Sequence, residues 1–166
     1  MEPGTATERD PPMSTKNPVH VTVSKVIAAS PEAIYDLIAD ITKMPKYSPE
    51  NTSGEWINGA TGPVVGAQFK GANKLGKATW STKPTVTVAD RGREFAFKVP
   101  GASGPLWTYR FEATADGTLV TESVEQAKRS PLPIRLIQKL NGVTDRSAVL
   151  REGMVTTLDR VAAACR

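Results

Sequence analysis

Few residues in this chain are equipped for acid–base chemistry. Glu122 lies in TLVTESVEQ at the parity of Val120 and Val124, so on a strand it points where the valines point. A carboxyl held among apolar groups ionises reluctantly, and its raised pKa makes Glu122 the best general acid or base available, though a weak catalytic candidate. Tyr109, in LWTYRFEAT, brings a hydroxyl that needs a partner when buried. Arg110 and Glu112 share the strand face opposite Tyr109. Since Trp107, Tyr109 and Phe111 form the apolar face, Arg110 and Glu112 read as a solvated pair.

Other chemistries lack their residues. His20 is the single histidine and Cys165 the single cysteine, at opposite ends of the chain. That excludes an internal disulfide and the usual zinc ligand sets, so no metal and no cofactor is expected. Ser-His-Asp or Cys-His catalysis would have to use His20, which falls in a strand pattern. Cys165 reads as a small apolar residue on the last helical turn, and an unpaired thiol fits a reduced, cytoplasmic setting.

The elements that would position these groups are legible from periodicity. VHVTVSKVIA over 19–28 alternates as a strand. Ser30-Pro31-Glu32 opens a helix: serine caps free amides, proline suits the first position, and glutamate suits the positive end. Ile34, Leu37, Ile38 and Ile41 supply its buried stripe, and Asp40 caps a second short helix interrupted by Pro45. Six strands are expected at 52–58, 67–73, 78–89, 93–99, 106–115 and 118–126, with Asp116-Gly117 the clearest hairpin turn. No connection is long enough for a crossover helix, so the sheet is antiparallel. One long helix is expected over 133–164, its stripe running Leu136, Leu140, Val143, Ser147, Leu150, Met154, Leu158, Val161 and Cys165.

This order predicts an α+β fold of about seven antiparallel strands wrapped around a long C-terminal helix, with two short helices after the first strand. A long antiparallel sheet curls, and a curled sheet gripping a straight helix leaves a gap where a ligand fits. Trp80, Phe95, Phe97, Trp107, Tyr109 and Phe111 from the sheet, and Leu140, Val143 and Met154 from the helix, are the expected cavity lining. Asn141-Gly142 and Gly153 interrupt the helix at ~1 kcal/mol each, through close approach to a neighbour or through a bend that widens the pocket.

The full chain carries a net charge of +4. Residues 19–126 are balanced, whereas 127–166 hold eight Lys or Arg against Asp145, Glu152 and Asp159. The excess reads as a solvated helix face, with weak contact to an anionic membrane surface as the secondary reading. No aromatic residues alternate with the basic ones, which argues against nucleic acid. Residues 1–18 are polar and proline-rich and read as a disordered tail ahead of one domain over 19–166. No apolar run is long enough to span a bilayer.

Residues 21–50, VTVSKVIAASPEAIYDLIADITKMPKYSPE, resemble the opening of the START-related helix-grip superfamily (SRPBCC), in particular its bacterial polyketide cyclase/dehydrase-like branch. The matching pieces are the strand, Ser30-Pro31-Glu32 with Ile34-Tyr35-Asp36, then Asp40 and Pro45-Lys46-Tyr47-Ser48. Many relatives carry tryptophan where Tyr47 stands. Residues 79–98, TWSTKPTVTVADRGREFAFK, resemble the family's central hairpin, and the likeness extends over about 19–164. It implies a helix-grip fold with a deep apolar cavity. Members bind lipids, sterols, polyketides or plant hormones, and some cyclise or dehydrate aromatic polyketides. The superfamily has no short catalytic motif, so no catalytic residue carries over. The expected function is a carrier or sensor of an apolar small molecule, and the alternative is a cyclase/dehydrase-type enzyme using a cavity carboxylate.

Overall fold

A computed structural model of the chain describes residues 19–128 and 130–166; the tail expected over 1–18 lies outside them. Strand β1 (Val19–Ile27) buries Val21 and Ile27 and leaves His20, Thr22, Ser24 and Val26 exposed. Helix α1 (Pro31–Ala39) follows. Ser30 caps it, its hydroxyl accepting from the Ala33 amide at 3.2 Å, and Ile34, Tyr35, Ile38 and Ala39 face inward. The second short helix is a single 3-10 turn, Met44–Lys46. Asp40 closes on Thr42 beside it, taking the hydroxyl at 2.6 Å and the amide at 3.2 Å.

Eight strands form one antiparallel sheet: β1, β2 (Asn51–Ile57), β3 (Gln68–Leu75), β4 (Ala78–Thr82), β5 (Thr85–Asp90), β6 (Glu94–Lys98), β7 (Leu106–Thr114) and β8 (Gly117–Gln126). Their order is β1-β8-β7-β6-β5-β3-β2, with β4 paired to β3. The single strand expected over 78–89 is therefore two. Pro84 has no amide hydrogen for a ladder, so pairing breaks at Lys83-Pro84. β3 is shared, with Gly71–Leu75 on β4 and Gln68 on Thr85 of β5. Register shifts at Asn51/Ser53 and Val86/Val88 mark bulges, which bend strands and help the sheet curl.

The single helix expected over 133–164 is also two, α2 (Leu132–Leu140) and α3 (Arg146–Ala164). Gly142 takes φ +76°, which glycine adopts without Cβ strain. The Val143 amide returns to the Gln138 carbonyl at 2.9 Å, ending α2. Asp145 then caps α3 by accepting from the Ala148 amide at 3.1 Å. The stripe consequently divides: Leu150, Met154, Leu158 and Val161 are buried, while Leu136 and Leu140 are exposed. Burying those four contributes on the order of 6–12 kcal/mol before conformational entropy is charged.

α3 lies in the concave face of the sheet against β1. Leu150 and Met154 pack on Val21 and Val124, and Leu158 and Val161 join a larger cluster with Ile34, Ile38, Phe95, Tyr109, Phe111 and Val120. Lys25 pairs with Asp159 at 2.9 Å, and Arg151 donates to the Thr22 carbonyl at 3.2 Å. This is the helix-grip arrangement, a curled antiparallel sheet closed on a long C-terminal helix. No helix among the described residues is long and apolar enough to cross a membrane.

Candidate functional site

Sheet and helices leave a cavity of about 560 Å³ between them. β2, β3, β4, β6, β7 and β8 supply one wall, the turns around Pro49 and Gly104 supply the ends, and α2 and α3 supply the roof. Trp80, Ile134 and Ile137 line it and remain partly exposed, so it reaches the surface between β4 and α2.

Of the ten residues expected in the site, five are on this wall: Trp80, Phe97, Trp107, Glu122 and Met154. Phe95, Tyr109 and Phe111 are not. They sit deeper, under α1, where Tyr35 meets Phe95 and Phe111 edge-on at centroid distances of 6.1 and 5.7 Å. Leu140 and Val143 are off the wall as well. The helix stop at Gly142 turns Leu140 out, leaving it 81% exposed, and puts Val143 in the connecting turn. From α2 it is Ile134, Ile137 and Gln138 that face the cavity.

Glu122 is the one titratable side chain buried on the wall among the described residues, at 2% exposure. β8 places it directly opposite Tyr109 of β7 and Val23 of β1. The Tyr109 hydroxyl donates to Glu122 Oε1 at 2.9 Å. Oε2 is buried with no partner among the described residues. Burial pushes the Glu122 pKa up to about 8, against the opposing pull of the Tyr109 hydrogen bond. Burial also drives the Tyr109 hydroxyl well above its ordinary value, with the neighbouring Glu122 adding to the rise. At neutral pH the pair is thus an uncharged carboxyl and an uncharged phenol. Arg110 and Glu112 are on the outer face and exposed; Arg110 pairs with Glu94 at 3.3 Å rather than with Glu112.

Three further features shape the site. Glu50 and Arg146 line the cavity and form a two-pronged ion pair, with Nη1 on Oε2 at 2.8 Å and Nη2 on Oε1 at 2.6 Å. The pair ties the start of α3 to the segment before β2. Asn141 bridges α2 to the β3–β4 turn: its Oδ1 accepts from the Lys77 amide at 3.0 Å. Asn51 opens β2, and its Nδ2 reaches the Ala72 and Ser53 carbonyls at 3.0 and 3.1 Å, leaving Oδ1 buried with no partner among the described residues. Sequence shows Asn141-Gly142 only as an interruption within one long helix. The other two depend on contacts remote in sequence.

The comparisons agree with this architecture. The chain belongs to the polyketide cyclase / dehydrase and lipid transport family, whose model matches residues 18–166. No curated protein matches it. Among solved structures it is similar to a polyketide-cyclase-like protein, Cgl2372 from Corynebacterium glutamicum, with 29% identity, TM-score 0.54 and 90% of each chain covered. It is also similar to the di-domain ARO/CYC StfQ of the steffimycin biosynthetic pathway, with 14% identity and TM-score 0.71, over 89% of this chain and 50% of that one. The major latex-like protein 151 of Panax ginseng matches with 14% identity and TM-score 0.68, over 90% and 98% of the two chains. The last two likenesses are of fold.

Proposed function

We propose that this protein holds an apolar small molecule, a lipid, sterol or polyketide-like compound, in the cavity between its sheet and its C-terminal helices, as a carrier or sensor. The observation that carries the reading is the cavity itself. Its volume of about 560 Å³ lies within the range of ~300–1,000 Å³ usual for ligand pockets. Phe97, Trp107, Leu150 and Met154 give it apolar walls, and Arg146, the cation on the wall among the described residues, is already engaged by Glu50. Membership in a family that includes lipid transport supports the same reading. A panel of fatty acids, sterols and aromatic polyketides, scored by displacement of a fluorescent apolar probe and by melting temperature, tests it. At least one class should displace the probe and raise the melting temperature. A panel with neither effect overturns the proposal.

A second reading has its own observation, the buried carboxyl of Glu122. In a cyclase/dehydrase-type reaction the ionised carboxyl would take a proton from a carbon beside a ketone. It would return that proton to a departing hydroxyl, releasing water. Glu122→Gln should then abolish turnover of a poly-β-ketone substrate while leaving its affinity largely intact. Equal turnover by both forms would remove Glu122 from the chemistry.

A further inference from the structure

Two side-chain oxygens on residues of the cavity wall, Glu122 Oε2 and Asn51 Oδ1, are buried without a hydrogen-bond partner among the described residues. They belong to opposite margins of the sheet, since β8 is next to one edge and β2 is the other. Buried polar atoms are nearly always hydrogen-bonded, so two orphans on one cavity call for an explanation.

Neither has an internal remedy. Asn51 Nδ2 faces the Ser53 and Ala72 carbonyls and Asn73 Oδ1, so a flipped amide would set oxygen against oxygen. Glu122 Oε1 is occupied by Tyr109. Val23 is its neighbour on β1, and from α3 the nearby wall residues are Leu150, Met154 and Thr157. The Thr157 hydroxyl donates to the Gly153 carbonyl at 2.9 Å, and its oxygen is not within hydrogen-bond reach of Glu122 Oε2. Besides Glu122, the charged groups on the wall among the described residues are Glu50 and Arg146, which hold each other.

We infer that the cavity selects an elongated, uncharged apolar molecule with a hydroxyl at the end that meets Asn51 and a carbonyl oxygen at the end that meets Glu122. The inference rests on the ligand-binding reading above and adds the polar chemistry of the ligand. Asn51 Oδ1 can only accept, so its partner must donate. Glu122 is neutral at pH 7, and since Oε1 accepts from Tyr109, its proton sits on Oε2 and must be received by an acceptor. Among the described residues the cation on the wall, Arg146, is already engaged by Glu50, so the described wall offers an anionic headgroup no free partner.

Four versions of one saturated steroid skeleton test this: without polar groups, with a hydroxyl at one end, with a ketone at the other, and with both. The hydroxy-ketone should bind tightest at about pH 6, each group adding roughly fivefold. Near pH 10 the ketone's advantage should vanish as Glu122 ionises, while the hydroxyl's persists. Glu122→Gln keeps an N–H donor towards the ligand and a carbonyl for Tyr109, so it should retain the ketone's advantage at both pH values. Glu122→Leu should lose that advantage at both and keep the hydroxyl's. Equal binding of all four skeletons overturns the inference and leaves the ligand-binding reading standing. If none of the four binds and no compound of the broader apolar panel binds either, the reading beneath it falls too.

Discussion

Tyr109 and Glu122 face each other across β7 and β8, and the phenol hydroxyl donates to one carboxyl oxygen at 2.9 Å while the other oxygen has no partner among the described residues. The carboxyl is half satisfied and almost wholly buried. Its charged form is therefore what the fold resists, and the pH dependence of stability should show it.

The folded pKa of Glu122 is about 8, against 4.5 for the free side chain. Between those values the folded state holds a proton that the unfolded state has released. The contribution is fully present below about pH 4.5 and is lost as pH rises through 8. The loss should be on the order of a few kcal/mol. Urea unfolding at about pH 5 and pH 9 should show it in the wild type, and Glu122→Gln should flatten it. An equally steep decline in both proteins would assign the effect elsewhere.

Tyr109→Phe removes the donor and leaves both carboxyl oxygens unpaired. Stability at neutral pH should drop by about 1–3 kcal/mol. Because the hydrogen bond opposes the rise in the Glu122 pKa, its loss should push that pKa higher still and extend the alkaline decline upward. Infrared spectroscopy of the carboxyl stretch across a pH titration follows both effects.

Much of this molecule was written in local pattern. The alternation of β1, the Ser30-Pro31-Glu32 helix start, the Asp116-Gly117 hairpin and the Leu150–Val161 stripe all rest on neighbours in sequence. The parity that sets Glu122 beside Val120 and Val124 is equally local. What escaped was either a competition between local signals or a long-range pairing. The stripe through Leu136 and Leu140 kept helical period, yet Asn141-Gly142 followed by the Asp145 cap stopped one helix and began another. Trp107, Tyr109 and Phe111 share a face, but the curl of the sheet puts Trp107 on the cavity and the other two beneath α1. Glu50 meeting Arg146, 96 residues apart, has no signature in one sequence.

The Glu50–Arg146 pair should hold the α2–α3 corner closed over the cavity. Both side chains are about one-fifth exposed and the geometry is bidentate, so Arg146→Met should cost about 1 kcal/mol, towards the upper end for partly solvated pairs. Ligand dissociation should quicken more than equilibrium stability falls. Stopped-flow release of a bound fluorophore, compared with urea unfolding, separates the two.

Gly142→Ala should destabilise the same corner by about 1 kcal/mol, because φ +76° strains any residue with a Cβ. Amide exchange should rise at Lys77, whose N–H is held by Asn141 next door, while β7 and β8 stay protected. Unchanged exchange at Lys77 would mean that the α2–α3 turn does not anchor the β3–β4 hairpin.

The central claim is that the space under α3 takes a guest, and Gly153 offers the most direct way to close it. Gly153 lines the cavity, and a Cβ there would stand 3.7 Å from Pro49. Replacing a mid-helix glycine favours the helix by up to ~1 kcal/mol, so Gly153→Leu should fold well while filling the cavity. Titration of N-phenylnaphthylamine into both proteins is the measurement. The wild type should bind it saturably and one-to-one, and folded Gly153→Leu at least tenfold more weakly. Equal affinity for the two, or no saturable binding to the wild type, would contradict the central claim.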